Sequence, residues 1–136
     1  MKKIALILSL FLIASHVLMA QNDDEKIRDK MSEYIQQRMR LNKTEAERFS
    51  PVFLRYFREW RNTLKENRTD KLILQQKVVE LRLHYRTEFK DIIGEKRSND
   101  VFRHQEKFIS ELQTIRQERM QNRKGPRNRI RNLSPV

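Results

Sequence analysis

The sequence predicts an all-α protein of four amphipathic helices in an extended, bent arrangement of helical hairpins. Three observations carry that expectation. The 136 residues include only two Gly and three Pro, too few breakers for a turn-rich β-sandwich or barrel and well suited to long helices. Apolar residues recur at three- and four-residue spacing through most of the chain, the period of one helix face. Short clusters of Asn, Asp, Ser and Thr stand ahead of the periodic stretches, where helix N-caps belong. The length allows one domain. Cys is absent, which excludes a disulfide framework, a thiolate nucleophile, Cys-ligated zinc or iron–sulfur sites and a lipid-anchored amino-terminal Cys.

The chain opens with Met1-Lys2-Lys3 and an eleven-residue apolar run from Ile4 to Ala14, with Leu18 and Ala20 at the −3 and −1 positions before Gln21. This is the build of a signal peptide over residues 1–20, cleaved between Ala20 and Gln21. The alternative is an uncleaved anchor, but the run falls short of the roughly 20 residues a spanning helix needs, and Ser15-His16 closes it. Charge then has to be reconsidered. The whole chain carries 30 Lys+Arg against 18 Asp+Glu, net +12, which by itself suggests nucleic acid. An exported protein rarely meets nucleic acid, so no such partner is expected. Removing residues 1–20 leaves 28 basic and 18 acidic residues, net +10, and 36 apolar residues in 116. That share is about 31%, lean beside the usual 45–50% or so. It implies a thin helical body that shares its core with a second copy, a homodimer.

The elements follow in order. Asn22-Asp23-Asp24 suits a helix start, and Ile27, Met31, Tyr34, Ile35 and Met39 predict a first helix over roughly 24–40. Thr44-Glu45-Ala46-Glu47 reads as a capping box, with Thr44 accepting from the Glu47 amide and Glu47 returning to the Thr44 amide, after a Leu41-Asn42-Lys43 turn. The second helix then carries Phe49, Phe53, Tyr56 or Phe57, Trp60 and Leu64, with a kink or restart expected near Ser50 because Pro51 falls inside it. Asn67–Asp70 is a short break with Thr69 as the next cap. In the third helix Leu74, Val78, Leu81, Tyr85, Phe89 and Ile92 form a narrow seam close to heptad geometry, ending at Gly94. Ser98-Asn99-Asp100 caps the fourth helix, which forms an antiparallel hairpin with the third about a Gly94–Ser98 turn. A helical domain over 21–120 results. From Gln121 the periodicity stops, and Gly125-Pro126 and Ser134-Pro135 mark a basic, disordered tail over 121–136 that holds +5.

Leu41-Asn42-Lys43-Thr44-Glu45-Ala46-Glu47, followed by Phe49, Pro51 and Phe53, resembles the Leu-Thr-x-x-Gln helix start of the Spy/CpxP-like family of small periplasmic helical proteins. Ile93-Gly94-Glu95-Lys96-Arg97 resembles a weaker second copy. The likeness covers roughly residues 25–120 and is nearest to the branch described as sensors linked to extracytoplasmic sigma factors. Lys43 departs from the motif where Leu precedes Thr, leaving Leu41 to supply the apolar contact; Glu47 stands for Gln, and Gly94 and Arg97 replace Ser/Thr and Gln in the second copy. The resemblance implies a bent four-helix protomer, often a cradle-shaped dimer. It also implies a periplasmic location and ATP-independent binding of unfolded proteins, modulation of envelope-stress sensors, or metal sensing.

Five of the aromatics, Phe49, Phe53, Tyr56, Phe57 and Trp60, fall within twelve residues of the second helix. Most belong in a core, yet positions 56 and 57 differ by about 100° and cannot all point inward. Flanked by Arg55, Arg58, Arg61 and Lys65, the remainder would form an apolar and cationic surface suited to exposed apolar segments and net-acidic clients. His84 and His104 are the only candidates for a metal, one turn from Glu80 and Glu88 and from Asp100 respectively, and no metal site or cofactor is assigned to them. No Gly-rich phosphate loop, HExxH or Gly-x-Ser-x-Gly is present, so no enzyme activity is expected. The basic tail is either a solubilising extension or a weak contact with an anionic membrane surface. The leading expectation is an envelope protein that holds unfolded or partly folded clients through Phe53, Arg55, Phe57, Arg58, Trp60, Arg61 and Leu64, with Leu41, Thr44 and Glu47 as the helix-cap motif. The alternative is a regulatory module that docks on a periplasmic stress sensor or anti-sigma factor.

Overall fold

The computed structural model describes residues 23–130; the expected signal peptide and the last six residues of the expected tail lie outside them. The fold is all-α. Helix α1 covers residues 23–38, α2 Lys43–Glu66, α3 Lys71–Ile93 and α4 Glu95–Ile130, with no strand among the described residues.

The cap signals are mostly displaced from where they were expected. Helix α1 closes on Arg40 in the left-handed region, φ 52°, with the Arg40 amide donating to the Gln37 carbonyl and the Leu41 amide to Gln36, each at 3.1 Å. That is a Schellman closure with Arg where Gly is usual. It turns Leu41 back onto the core cluster. The capping box of α2 is formed by Asn42 and Glu45, not by Thr44 and Glu47. The Glu45 amide donates to Asn42 Oδ1 at 2.9 Å, and the Asn42 amide donates to the Glu45 carboxylate at 3.1 Å. Asn caps as well as Thr, and Asn42-x-x-Glu45 comes two residues sooner, so Thr44 and Glu47 fall inside the first turns and are exposed. Helix α2 then runs through Pro51 without restarting. Pro51 is exposed, so water can satisfy the carbonyl that loses its donor, and the Ser50 hydroxyl back-bonds to the Ala46 carbonyl at 2.8 Å. For α3 the cap is Asp70, not Thr69: its Oδ1 accepts from the Leu72 and Ile73 amides at 3.0 and 3.1 Å. Helix α4 starts at Glu95 instead of after Asp100, because Gly94 at φ 83° joins α3 to α4 alone. The Gly94 carbonyl accepts from the Ser98 amide at 3.0 Å, and Ser98 is buried.

Four consecutive antiparallel helices result, and their levels can be read from cross-helix ties. Arg61 pairs with Asp24 at 2.6 Å between α2 and α1. Arg55 pairs with Glu88 between α2 and α3, and Arg82 with Glu106 between α3 and α4, each at 2.7 Å. Tyr34 donates to Glu111 at 3.1 Å, its ring edge-on to Phe108 at 5.4 Å, joining α1 to α4. Arg97 is the busiest tie: Nη1 and Nη2 both donate to the Glu45 carboxylate, and Nε donates to the Ile93 carbonyl at 2.9 Å. One side chain thereby links the start of α2, the end of α3 and the first turn of α4.

The core lies between these ties. It contains Met31, Ile35 and Met39; Phe49, Phe53, Tyr56 and Phe57 of α2; Tyr85, Phe89 and Ile93 of α3; and Val101 and Phe102 of α4. Tyr56 sits at its centre, edge-on to Tyr85, Phe89 and Phe102 at centroid distances of 5.4, 6.2 and 5.4 Å. Its hydroxyl donates to Gln105 Oε1 at 2.6 Å, both residues fully buried, while Gln105 Nε2 finds no partner. The seam expected on α3 is borne out at Tyr85 and Phe89, but Leu74 and Val78 are only half-buried. Leu72, Val79 and Leu83 lie exposed on another face, within about 40° of one another on the helix.

Helix α4 outruns the body. The Glu45–Arg97 and Tyr56–Gln105 contacts set α2 and α4 side by side with offsets of 52 and 49 residues. Glu66, the end of α2, is therefore level with about residue 116, and α4 projects roughly 14 residues or 21 Å beyond. The tail was expected to be disordered from Gln121; its first part is instead helical to Ile130. Gly125 has no Cβ to clash with the ring of Pro126, and the carbonyl that Pro126 leaves without a donor belongs to the exposed Asn122, where water can reach it.

Two outcomes test this arrangement. Asn42→Ala should lower the unfolding free energy by about 1 kcal/mol while Thr44→Ala leaves it nearly unchanged, as read by urea titration of the helical circular dichroism. Tyr56→Phe should cost about 1–3 kcal/mol by stranding the whole Gln105 amide. Adding Gln105→Leu to that variant should recover most of the loss, whereas strictly additive losses would mean the two groups do not interact.

Candidate functional site

Two faces of α2 diverge from the same helix. Phe49, Phe53, Tyr56 and Phe57 turn into the core. Pro51, Leu54, Arg58, Arg61 and Lys65 follow at spacings of 3, 4, 3 and 4, which places them on a second stripe. The amino-terminal half of α1 lies along that stripe, held by Arg61–Asp24. Between the two helices is an open groove of about 650 Å³, lined also by Glu25, Arg28, Arg55, Phe57 and Asn62.

The groove has an apolar floor and a cationic rim. Pro51, Leu54 and the edge of Phe57 supply the floor. Arg28, Arg55, Arg58, Arg61 and Lys65 outnumber Asp24 and Glu25 around it. Arg28 is paired with Asp29, Arg55 with Glu88 and Arg61 with Asp24, while Arg58 and Lys65 have no carboxylate partner among the described residues. Arg61 Nε is buried without an acceptor. The Arg61–Asp24 pair is more than a third exposed on both sides, so it is worth at most about 1 kcal/mol. A ligand carboxylate could exchange with Asp24 at little cost.

The residues expected to meet clients divide. Arg55, Phe57, Arg58 and Arg61 come together at the groove. Phe53 is a correction: it is wholly inside the core and touches no solvent, because its neighbours Phe49, Tyr56 and Phe57 enclose it. Phe57 is nearly as buried and offers an edge, not a face. Trp60 packs on Phe57 with centroids 5.6 Å apart and is half-buried, as is Leu64, and neither lines the groove. The sequence reading missed Pro51 and Leu54 and all of the α1 contribution. The 51–54–58–61–65 spacing was visible, but the partner stretch from Asp24 to Arg28 could be placed only by the fold.

The histidines stand apart. His84 is exposed with Nε2 3.3 Å from Glu88, which already holds Arg55 on the α2 side. His104 lies near Arg38 of α1, and burial, then the Arg103 charge, lower its pKa below the usual value. No group of three or more His, Asp or Glu among the described residues could hold a metal.

Behind the groove the hydroxyls of α2 and α3 are locked. Tyr85 donates to Glu59 at 2.7 Å, and burial, reinforced by that carboxylate, pushes its phenol up to about 12. Burial also raises Tyr56, against the opposing charge of Arg82, and raises Tyr34 together with its bond to Glu111.

Comparisons with protein-family models, curated proteins and solved structures find no match.

The three tyrosines supply a pH test. Each phenol is neutral in the fold and has a pKa above its unfolded value of about 10, so the unfolded chain binds fewer protons above that pH. The stability they contribute is complete below about pH 10 and drains as pH rises toward about 12. Spectrophotometric titration should show no phenol ionising at the ordinary value until unfolding sets in, and Tyr85→Phe should reduce the alkaline loss.

Proposed function

We propose that this protein is an exported, ATP-independent binding module that holds unfolded or partly folded envelope proteins. The observation that carries the reading is the α1–α2 groove: an apolar floor of Pro51, Leu54 and Phe57 under a rim where Arg58 and Lys65 have no carboxylate partner among the described residues. Such a surface binds apolar segments through area, with little sequence preference, and favours chains with acidic residues. Its openness suits an extended segment, which needs no enclosing pocket. The resemblance to the Spy/CpxP-like family, the basic head and the apolar run at Met1–Ala14 support the envelope setting. Pairing of two copies is part of this reading, and the outer α3 stripe of Leu72, Val79 and Leu83 supports it.

The test is suppression of aggregation of an unfolding client at stoichiometric ratios without nucleotide. The chain should suppress it, and no suppression at a several-fold molar excess would sink the reading. Arg58→Gln with Lys65→Gln should weaken client binding roughly fivefold, about 1 kcal/mol, and Leu54→Ser should weaken it further. All three sites lie off the core, so the helical signal and unfolding midpoint should stay near the parent's. A single saturable envelope partner with no effect on generic clients would instead favour the sensor-docking alternative.

A further inference from the structure

The projecting arm of α4 is unlike the rest of the molecule. Every described side chain from Gln113 to Arg123 is exposed. In the body the cross-helix arginines are tied: Arg55, Arg61, Arg82 and Arg97 each meet a carboxylate from another helix. Arg116, Arg119 and Arg123 meet none among the described residues. They lie within about 60° of one another on the helix, and Met120 sits inside the same arc, 64% exposed. Ile115 is exposed beside them. The sequence adds Lys124, Arg127 and Arg129 to the same helix, with Glu118 the only acid from Arg116 to Ile130.

A helix that is polar all round and touches nothing gains little from its own hydrogen bonds; it becomes stable when a surface neutralises its charge. We propose that the α4 arm docks on an anionic phospholipid bilayer, lying in the headgroup layer. Arg116, Arg119 and Arg123 pair with lipid phosphates while Met120 and Ile115 enter the acyl boundary. Charge complementarity selects an anionic partner, and the interleaved apolar side chains select a bilayer. Nucleic acid would be gripped through phosphates and stacked bases, and the arm has no aromatic on which a base could stack. No helix of the described residues is long and apolar enough to cross a membrane, so the contact is peripheral. Leu72 and Ile73, exposed at the start of α3, lie at the same end of the molecule and face the same layer. The proposal does not rest on the client groove, which is built on α1 and α2.

The core lies wholly between Met31 and Phe102, so the chain from Gln21 onward keeps the fold and is the protein to use. It is sedimented with vesicles of phosphatidylcholine alone and of two parts phosphatidylcholine to one part phosphatidylglycerol. Binding should appear only with the second composition and fall away between about 0.1 and 0.5 M salt. Arg116→Gln, Arg119→Gln and Arg123→Gln together should weaken it at least about tenfold without changing the unfolding midpoint, and Met120→Ser alone should weaken it measurably. Equal binding to both vesicles, no binding to either, or an unaffected triple variant would overturn the proposal. So would a duplex oligonucleotide bound more tightly than the anionic vesicles at equal salt and released by the same three substitutions.

Discussion

The hydroxyl of Tyr56 sets the terms for the rest of the fold. It lies at the centre of an aromatic cluster with no access to water, where an unpaired polar atom is strongly destabilising. Gln105 supplies the acceptor at 2.6 Å, which requires α4 to lie at one level against α2. Arg82, held by Glu106, places its guanidinium over Phe102 at 5.5 Å and its charge beside the same hydroxyl. Sliding α4 by one turn, about 5.4 Å, would strand both the hydroxyl and the amide. Aromatic area holds the helices together, but area alone would tolerate such a slip; the polar pair selects the register.

With register fixed at mid-helix, the ends are governed by caps. Arg97 and Glu45 act at one end, where Glu45 both closes the α2 capping box and receives Arg97. Its carboxyl is held below the usual range first by the Arg97 hydrogen bond and next by the Asn42 amide. Linkage therefore runs opposite to that of the tyrosines: the contribution is present above the ordinary carboxylate range and fades as pH falls through the lowered value. The fold loses support from Glu45 in acid and from buried phenols in alkali, and the two losses begin at different places, one at a helix end and one in the core.

Much of this was legible in the chain, for reasons that can be stated residue by residue. The Tyr85–Phe89 seam and the breaks before α2 and α3 were readable, because apolar period and cap chemistry act locally. Choosing between Asn42 and Thr44 was not. Both residues can cap, and the choice turns on Glu45, whose second partner Arg97 is 52 residues away. Gly94 was read correctly as a helix end, but its φ of 83° also lets α4 begin at once, which made the Ser98–Asp100 cap unnecessary. Phe53 was misplaced for a different reason. Helical spacing shows that Tyr56 and Phe57 diverge, but not that α3 and α4 together are wide enough to cover both. The client surface moved accordingly, from the aromatic stripe to its neighbour at Leu54 and Arg58.

Charge, the least structural feature of the sequence, is what finally divides the molecule by role. In the body, Arg55, Arg61, Arg82 and Arg97 each face a carboxylate from another helix. Those cations act as register pins, and little of their field extends beyond about 10 Å at ordinary salt. Arg58 and Lys65 at the groove, and Arg116, Arg119 and Arg123 on the arm, have no such partner among the described residues. They also sit where no other helix could supply one: on the open side of α2 and beyond the end of the α2–α3 hairpin. A cation that pins two helices cannot also steer a ligand without weakening the fold, whereas one left on an unopposed face can do so freely. The excess of basic residues is thus concentrated where it can act on something outside the chain, and the lean core, confined to Met31–Phe102, is what leaves those faces unopposed.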